Sequence, residues 1–294
     1  EGLEDHGIVV GELQLDLAAM MGRKRKIVET MTKGVGALLK GKGVDYIQGT
    51  ARLAGAGRVA VEGSGDLQGQ RILLATGSSP AELPDLPFDG KQILSSTEVL
   101  SLDAVPDRMV VIGAGAIGLE MGSVWNRLGT KVEVVEFMDA VLPGADAEIS
   151  QQLQRTLKRQ GLSFRLSTGA TGADLDDEGV KLHLAGRDSD ESDTVECDCV
   201  LVSVGRRPNT TGLGLEETGV ELTERGFVTV DGDYSTTAAG VYAIGDVTPG
   251  PMLAHKAEAE AVAAVERMTG MGSSVNYEAI PNVVYTHPEA ASVG

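Results

Sequence analysis

The chain has 294 residues, room for about two domains, and its 42% hydrophobic content, 39 glycines and 3% aromatics fit a loop-rich α/β protein with aliphatic cores. Its formal net charge is −18, from 25 basic and 43 acidic residues, a surface that repels nucleic acid and anionic membranes at long range. The two cysteines exclude a disulfide-stapled scaffold, and no apolar run reaches the roughly 18 residues that span a bilayer.

The spacing of Leu17, Met20, Met21, Ile27, Met31, Leu38 and Leu39 predicts a helix over 14–40. Arg23, Lys24, Arg25, Lys26, Lys33 and Lys40 read as its solvated face rather than as a phosphate-binding patch. From Val44 the period falls to two, which predicts short strands at 44–48, 51–53 and 58–61. The run Ile72-Leu73-Leu74-Ala75 reads as a buried strand ending in the polar turn Thr76-Gly77-Ser78. A linker carrying Pro80, Pro84, Pro87 and Pro106 then marks a domain boundary.

The stretch 109–120 is the organising one. Val110, Val111 and Ile112 form a short β-branched strand. Gly113, Gly115 and Gly118 follow as G-x-G-x-x-G, with Ala114, Ala116 and Ile117 between them, and an amphipathic helix runs on through Trp125. In such a unit the first glycine makes the tight turn, the second lets the backbone approach a pyrophosphate at the helix N-terminus, and the third lets helix and strand pack closely. Glu136 stands 23 residues past Gly113, at the tip of the next apolar run, where a carboxylate accepts both adenosine ribose hydroxyls. Phe137, Met138 and Asp139 follow it with no arginine to receive a 2′-phosphate, so the expected cofactor is NAD rather than NADP.

Further on, 146–160 reads as a helix stopped by Gly161, and strands are predicted at 163–166, 169–173, 180–185 and 194–204. The acidic stretches 174–178 and 188–193 read as solvated hairpin tips. Cys197 and Cys199 fall on one predicted strand, where side chains two apart point in parallel, a poor disulfide geometry, so they read as packed thiols. The strand at 200–204 ends in Gly205-Arg206-Arg207-Pro208, and another at 241–244 ends in Gly245-Asp246. A helix is predicted over 253–268, a linker at 271–274, and at 283–289 the start of a strand whose partners are missing.

Four signatures in this order, Ala75-Thr76-Gly77-Ser78, 113–120, 204–208 and 243–246, resemble the two-dinucleotide-binding-domain flavoprotein disulfide reductases. The segments Met252-Leu253-Ala254-His255-Lys256-Ala257-Glu258 and Tyr285-Thr286-His287-Pro288-Glu289 narrow the resemblance to the branch that oxidises dihydrolipoamide with NAD⁺. The resemblance implies an α/β protein with two Rossmann-like domains. An FAD domain (1–105 and 233–272) carries an inserted NAD domain (106–232), and an α+β dimer-interface domain begins at 273–294. It implies FAD and NAD as cofactors, a homodimer, and docking to the lipoyl domains and core of 2-oxoacid dehydrogenase complexes. It also implies the mitochondrial matrix or a bacterial cytoplasm, with neither a metal site nor membrane insertion.

Residue roles implied in the same way are these. Asp246 holds the flavin ribityl chain, and Met252, Leu253, Ala254 and His255 bring a helix N-terminus to the flavin's pyrimidine end. Thr76, Gly77 and Ser78 form the crossover out of the FAD domain. Gly205 passes close to NAD, Ala51 and Ala170 line the cofactor sites, and Glu120 pairs with a lysine beside the flavin. The family's Cys-x4-Cys pair, its first G-x-G-x-x-G and its catalytic His-Glu have no counterpart here, His287 and Glu289 being an earlier segment. The chain therefore reads as the middle of an enzyme. Two rivals are another disulfide reductase using NADPH, against which the missing arginines and the non-aromatic Ala116 argue, and a redox-dead subunit that holds NAD or assists assembly.

Overall fold

A computed structural model of the chain describes residues 3–188 and 192–294. Helix α1 (Leu17–Gly41) starts under Asp16, whose carboxylate accepts the Ala19 N–H at 2.8 Å. Met21 is its one buried residue. Of the basic face, Lys24 donates to the Leu100 carbonyl and the Ser101 hydroxyl, while the other five cations are exposed. The strand expected at 44–48 does not form. That stretch pairs with no strand among the described residues, and all of it is exposed, so the alternating pattern has no surface to bury.

Strands β1 (Ala51–Leu53), β2 (Arg58–Val61) and β3 (Gly65–Gln68) make an antiparallel sheet. Two more short strands follow, β4 (Ile72–Leu74) and β5 (Ser78–Pro80). The chain then builds its main unit: β6 (Ile93–Leu94), α2 (Ser96–Val99), β7 (Arg108–Ile112), α3 (Ala116–Arg127), β8 (Lys131–Val135), α4 (Ala147–Arg159) and β9 (Ser163–Arg165). A meander follows, of β10 (Thr168–Asp176), β11 (Gly179–Gly186) and β12 (Ser192–Cys197), and then β13 (Cys199–Val202). Of the two acidic tips, 174–178 spans the turn between β10 and β11, whereas 189–191 of the stretch 188–193 lie outside the described residues.

The five parallel strands lie in the order β6-β13-β7-β8-β9. Such a sheet is covered on both faces, so its strands read as unbroken apolar runs. Alternation along β7 divides the two cores. Met109 and Val111 pack with Leu119 and Trp125 of α3 and with Leu153 and Leu157 of α4. Val110 and Ile112 face the other way, onto Val180, Leu182 and Leu184 of the meander.

The run expected as one strand over 194–204 breaks at Asp198. Its carboxylate accepts the Arg108 N–H at 2.8 Å, its own N–H donates to the Arg108 carbonyl at 3.0 Å, and the chain leaves the meander for the parallel sheet. Cys197 and Cys199 therefore belong to different strands and bury into opposite cores, not onto one shared face. Burial raises their pKa values to about 11 and about 12. The nucleophile is the thiolate, so at pH 8 no more than about a thousandth of either is reactive. Treating the native full-length protein with an aromatic disulfide reagent at pH 8 is expected to leave the peptide carrying both cysteines unlabelled. Labelling should follow unfolding, and mass mapping of the digest reads the difference.

After β13 come β14 (Arg206–Pro208), the short helix α5 (Leu215–Thr218), β15 (Val241–Ala243), helix α6 (Ala254–Met268), β16 (Asn282–Val284) and β17 (Ala290–Ser292). The chain returns through the whole parallel unit to pair β15 with β4, Val241 beside Ile72 and Ala243 beside Leu74. This second parallel pair shares a core of Leu53, Leu74, Leu215, Val228, Val241 and Val247. Strand β14 pairs with β5, Arg206 beside Pro80. The C-terminal segment supplies its own partner: β16 pairs with β17 as a hairpin, correcting the expectation of an unpaired strand.

Candidate functional site

The carboxyl ends of the parallel strands carry the first cluster. Gly113 leaves β7 at φ +103°, and a Cβ there would stand 2.6 Å from the Ser203 carbonyl. Gly118 lies against the same turn, where a Cβ would stand 2.1 Å from the Gly113 oxygen and 2.6 Å from the Ser203 hydroxyl. Gly115 differs: its φ is −76° and a Cβ would meet nothing within 4 Å, so the space above it is open. Gly115 is also the cap residue of α3 and supplies no side chain, so the first N–H groups of the helix are left for another acceptor. Ala114 is fully buried, and Ala116 and Ile117 are half-buried.

Glu136, 8% exposed, binds back to this turn. One carboxylate oxygen accepts the Ala114 N–H at 2.6 Å and the other the Met138 N–H at 2.8 Å. It stands beside the first turn of the fingerprint, oriented by two backbone donors. Thr168 donates to the Glu136 carbonyl at 2.9 Å, which brings the start of β10, and half-buried Ala170 two residues on, against the same loop. Gly205 lies at the end of β13, exposed, with φ +123°.

One cation reaches this loop from far along the chain. Arg187 Nη1 donates to the Phe137 carbonyl at 3.4 Å, and its guanidinium lies 5.9 Å from the Phe137 ring centroid. The residues next to Glu136 in sequence lack an arginine, but the folded loop has one beside it.

The second cluster lies where β4, β5, β14 and β15 end. Thr76 and Asn209 clasp each other: the Thr76 hydroxyl donates to the Asn209 carbonyl at 2.8 Å, and the Asn209 amide returns to the Thr76 carbonyl at 2.9 Å. The Asn209 N–H donates to the Gly77 carbonyl at 2.9 Å. The Ser78 hydroxyl donates to Asp246 at 2.6 Å and accepts from Arg206 Nε at 2.7 Å. Asp246, half-buried, starts the turn after β15.

Helix α6 begins at Ala254 behind Leu253, again without a side-chain cap, unlike α1 and α4, which are capped by Asp16 and Asp146. Met252 and Leu253 are half-buried, and Ala254 and His255 are exposed. His255 Nε2 donates to the Pro281 carbonyl at 2.8 Å, so its ring is tied to the C-terminal segment. Ala51 opens β1, exposed, paired with Val61.

A cavity of about 340 Å³ lies between the start of α3 and the start of α6, lined by Gly115 and Ala116 of α3, Leu253 at the head of α6, Leu142 and Asp146 before α4, and Val284 of the final hairpin. Beside it Glu120, half-buried on α3, accepts the Tyr285 N–H at 2.9 Å. Two uncapped helix N-termini at one cavity favour anionic or electron-rich ligand groups at both ends. The open space over Gly115, the closed space at Gly118 and the oriented Glu136 fit a dinucleotide at α3. Ser78, Asp246 and the start of α6 fit a second such ligand.

Sequence reasoning misses Ser203, Arg206 and Asn209, which brace the turns from other strands, and Arg187. It also misses Lys256 and Glu260. Their i,i+4 spacing is the mark of a solvated helix pair, yet they are 0% and 2% exposed. Tyr277 Oη donates to Glu260 at 2.9 Å. Loss of hydration, then hydrogen bonding with Tyr234 and Glu260, pushes the pKa of the Tyr277 hydroxyl upward.

Residues 4–261 match the family model described as pyridine nucleotide-disulphide oxidoreductase. The chain is 47% identical over 294 residues to the mitochondrial dihydrolipoyl dehydrogenase of Pisum sativum, covering 99% of this chain and 59% of that one. It is 48% identical over 285 residues to dihydrolipoyl dehydrogenase 3 of Pseudomonas aeruginosa, covering 96% and 61%. Among solved structures it is similar to LpdA from Mycobacterium tuberculosis, with a TM-score of 0.89 at 30% identity, over 97% of this chain and 63% of that one. The chain thus spans about three fifths of the length of these relatives.

Proposed function

Because the chain belongs to the pyridine nucleotide-disulphide oxidoreductase family, we propose that it is the central portion of a dihydrolipoamide dehydrogenase. In this reading a protein-bound dithiol is oxidised to its disulfide by thiol–disulfide exchange at a cysteine pair outside residues 1–294. FAD and NAD⁺, when bound, would supply the electron-pair and hydride acceptors for that oxidation. The observation that carries the reading is the cavity shared by the uncapped N-termini of α3 and α6, together with a Glu136 carboxylate braced against the α3 turn by the Ala114 N–H.

Each residue then has its part. The α3 amides and open Gly115 receive the NAD pyrophosphate, and Glu136 accepts the adenosine ribose hydroxyls, with Gly205 and Ala170 flanking the same nucleotide. The Ser78–Asp246 pair holds the ribityl end of FAD, with Thr76 and Gly77 as the crossover. The first amides of α6, from Leu253 to His255, oppose negative charge on the reduced ring. Ala51 lines the FAD site in the same reading. Glu120 pairs with a lysine beside the flavin. The β4–β15 pairing across the parallel unit supports an NAD domain inserted in an FAD domain. Its sheet reaches back past the expected start at 106 to β6 (Ile93–Leu94), while Leu215, Val220 and Val228, inside the expected 106–232, share the β4–β15 core, and an interface domain starts at 273. The full enzyme is a homodimer serving lipoyl domains of 2-oxoacid dehydrogenase complexes, in mitochondria or bacteria, where its relatives occur.

The test is an assay of the purified full-length protein with dihydrolipoamide and NAD⁺, beside glutathione disulfide and NADPH. Lipoamide formation coupled to NADH is the expected result. Glutathione disulfide reduction by NADPH alone, or cofactor binding without turnover of either couple, overturns it.

A further inference from the structure

Lys256 and Glu260 lie one turn apart on α6, with Lys256 Nζ 3.1 Å from a Glu260 oxygen and both side chains buried. Replacing such a pair by apolar residues of similar size is often neutral or stabilising, so stability is a weak reason for one. Its hydrogen bonds supply another. One Glu260 oxygen accepts the Gly245 N–H at 2.7 Å, and Lys256 Nζ donates to the Gly245 carbonyl at 3.2 Å and the Thr248 hydroxyl at 3.4 Å.

The two grips are unequal. The Gly245 carbonyl also accepts the Thr248 N–H at 3.1 Å and the Thr248 hydroxyl at 2.8 Å, so it stays satisfied without Lys256. The buried Gly245 N–H has Glu260 as its partner. Gly245 stands at φ +74°, immediately before Asp246, whose carboxylate accepts the Ser78 hydroxyl at 2.6 Å. Tyr277 occupies the other Glu260 oxygen and fixes the carboxylate.

We propose that Glu260 is a positioning residue for the flavin site: its carboxylate, neutralised by Lys256, holds the Gly245 amide and thereby sets where Asp246 meets the ribityl chain. This rests on the reading that FAD binds at Asp246. A hydrogen bond to a charged partner is worth enough to change binding by more than tenfold when it is lost.

Two variants of the full-length protein separate the grip from the burial. K256M/E260Q removes both charges and keeps an amide oxygen for Gly245. K256M/E260M removes both charges and the acceptor, with K256M/E260L as the alternative should that fold poorly. The apoproteins are titrated with FAD by flavin fluorescence, with NADH as a check on the other site, and amide exchange is read by mass spectrometry over Gly245–Val247. The Gln form is expected to bind FAD within about threefold of wild type. The Met form should bind at least about tenfold more weakly and exchange faster over Gly245–Val247, with NADH affinity unchanged in both. Equal FAD affinity and equal exchange in the two variants overturns the proposal. Wild-type protein that takes up no FAD overturns the functional reading instead, and the exchange comparison still decides whether Glu260 holds Gly245.

Discussion

Gly115→Ala is expected to leave the fold intact and to weaken NADH binding by at least about a hundredfold, whereas Gly118→Ala loses stability and binding together. The difference lies in what each new methyl meets. At Gly115 the backbone already has an ordinary φ of −76° and no atom lies within 4 Å of the added carbon, so folding should cost nothing. That open volume is where a pyrophosphate would reach the first amides of α3. A methyl there holds the phosphates away from donors whose charged hydrogen bonds contribute about 1.5–3 kcal/mol each. At Gly118 the added carbon falls 2.1 Å from the Gly113 oxygen, a backbone atom that cannot swing aside. Helix α3 must then lift from β7, at an overpacking cost of about 1–3 kcal/mol or more. Urea unfolding and NADH fluorescence titration of the two full-length variants measure both effects. Wild-type stability and affinity in Gly118→Ala would mean that the third glycine does not set the helix–strand contact.

How far the sequence carries the fold depends on whether the deciding atoms are neighbours along the chain. The turn at Gly113, Gly115 and Gly118 is legible because local backbone geometry and helix packing demand glycine there, and Glu136 because the unit between it and Gly113 has a fixed length. The break at Asp198 is not legible. Alternation runs straight through it, and what turns the chain is Arg108, on another strand. The stretch 44–48 fails for a related reason, since a period of two gives a strand only where a partner and a covered face exist. Lys256 and Glu260 have the spacing of a solvated pair, and only the approach of Gly245, Thr248 and Tyr277 shows that they lie inside. Arg187 reaches Phe137 across fifty positions, which no reading of the residues after Glu136 would find.

That arginine bears on the choice of nucleotide. Glu136→Ala is expected to weaken NADH by at least about tenfold while NADPH affinity holds or improves. Wild-type Glu136 has both oxygens engaged by backbone amides, at 2.6 Å from Ala114 and 2.8 Å from Met138. Each oxygen has a further lone pair free for a ribose hydroxyl, and both amides orient the carboxylate toward the fingerprint turn. Removing it takes away the hydroxyl acceptors and leaves the buried Ala114 N–H without its partner, so NADH loses contacts and the turn loses its brace. NADPH suffers the second loss and gives up only the 3′-hydroxyl contact. For it the mutation also removes a negative charge from beside the 2′-phosphate and leaves Arg187, which holds the Phe137 carbonyl and pairs with Asp188, as a cation on the same loop. The sign of the difference is therefore set by charge and its size by the ribose hydrogen bonds. Equilibrium titration of Glu136→Ala and of Glu136→Ala with Arg187→Ala, each with both nucleotides, separates the contributions. The double variant should lose NADPH affinity relative to the single one and change little toward NADH. Equal loss of both nucleotides in Glu136→Ala would mean that the carboxylate braces the turn without reading the ribose.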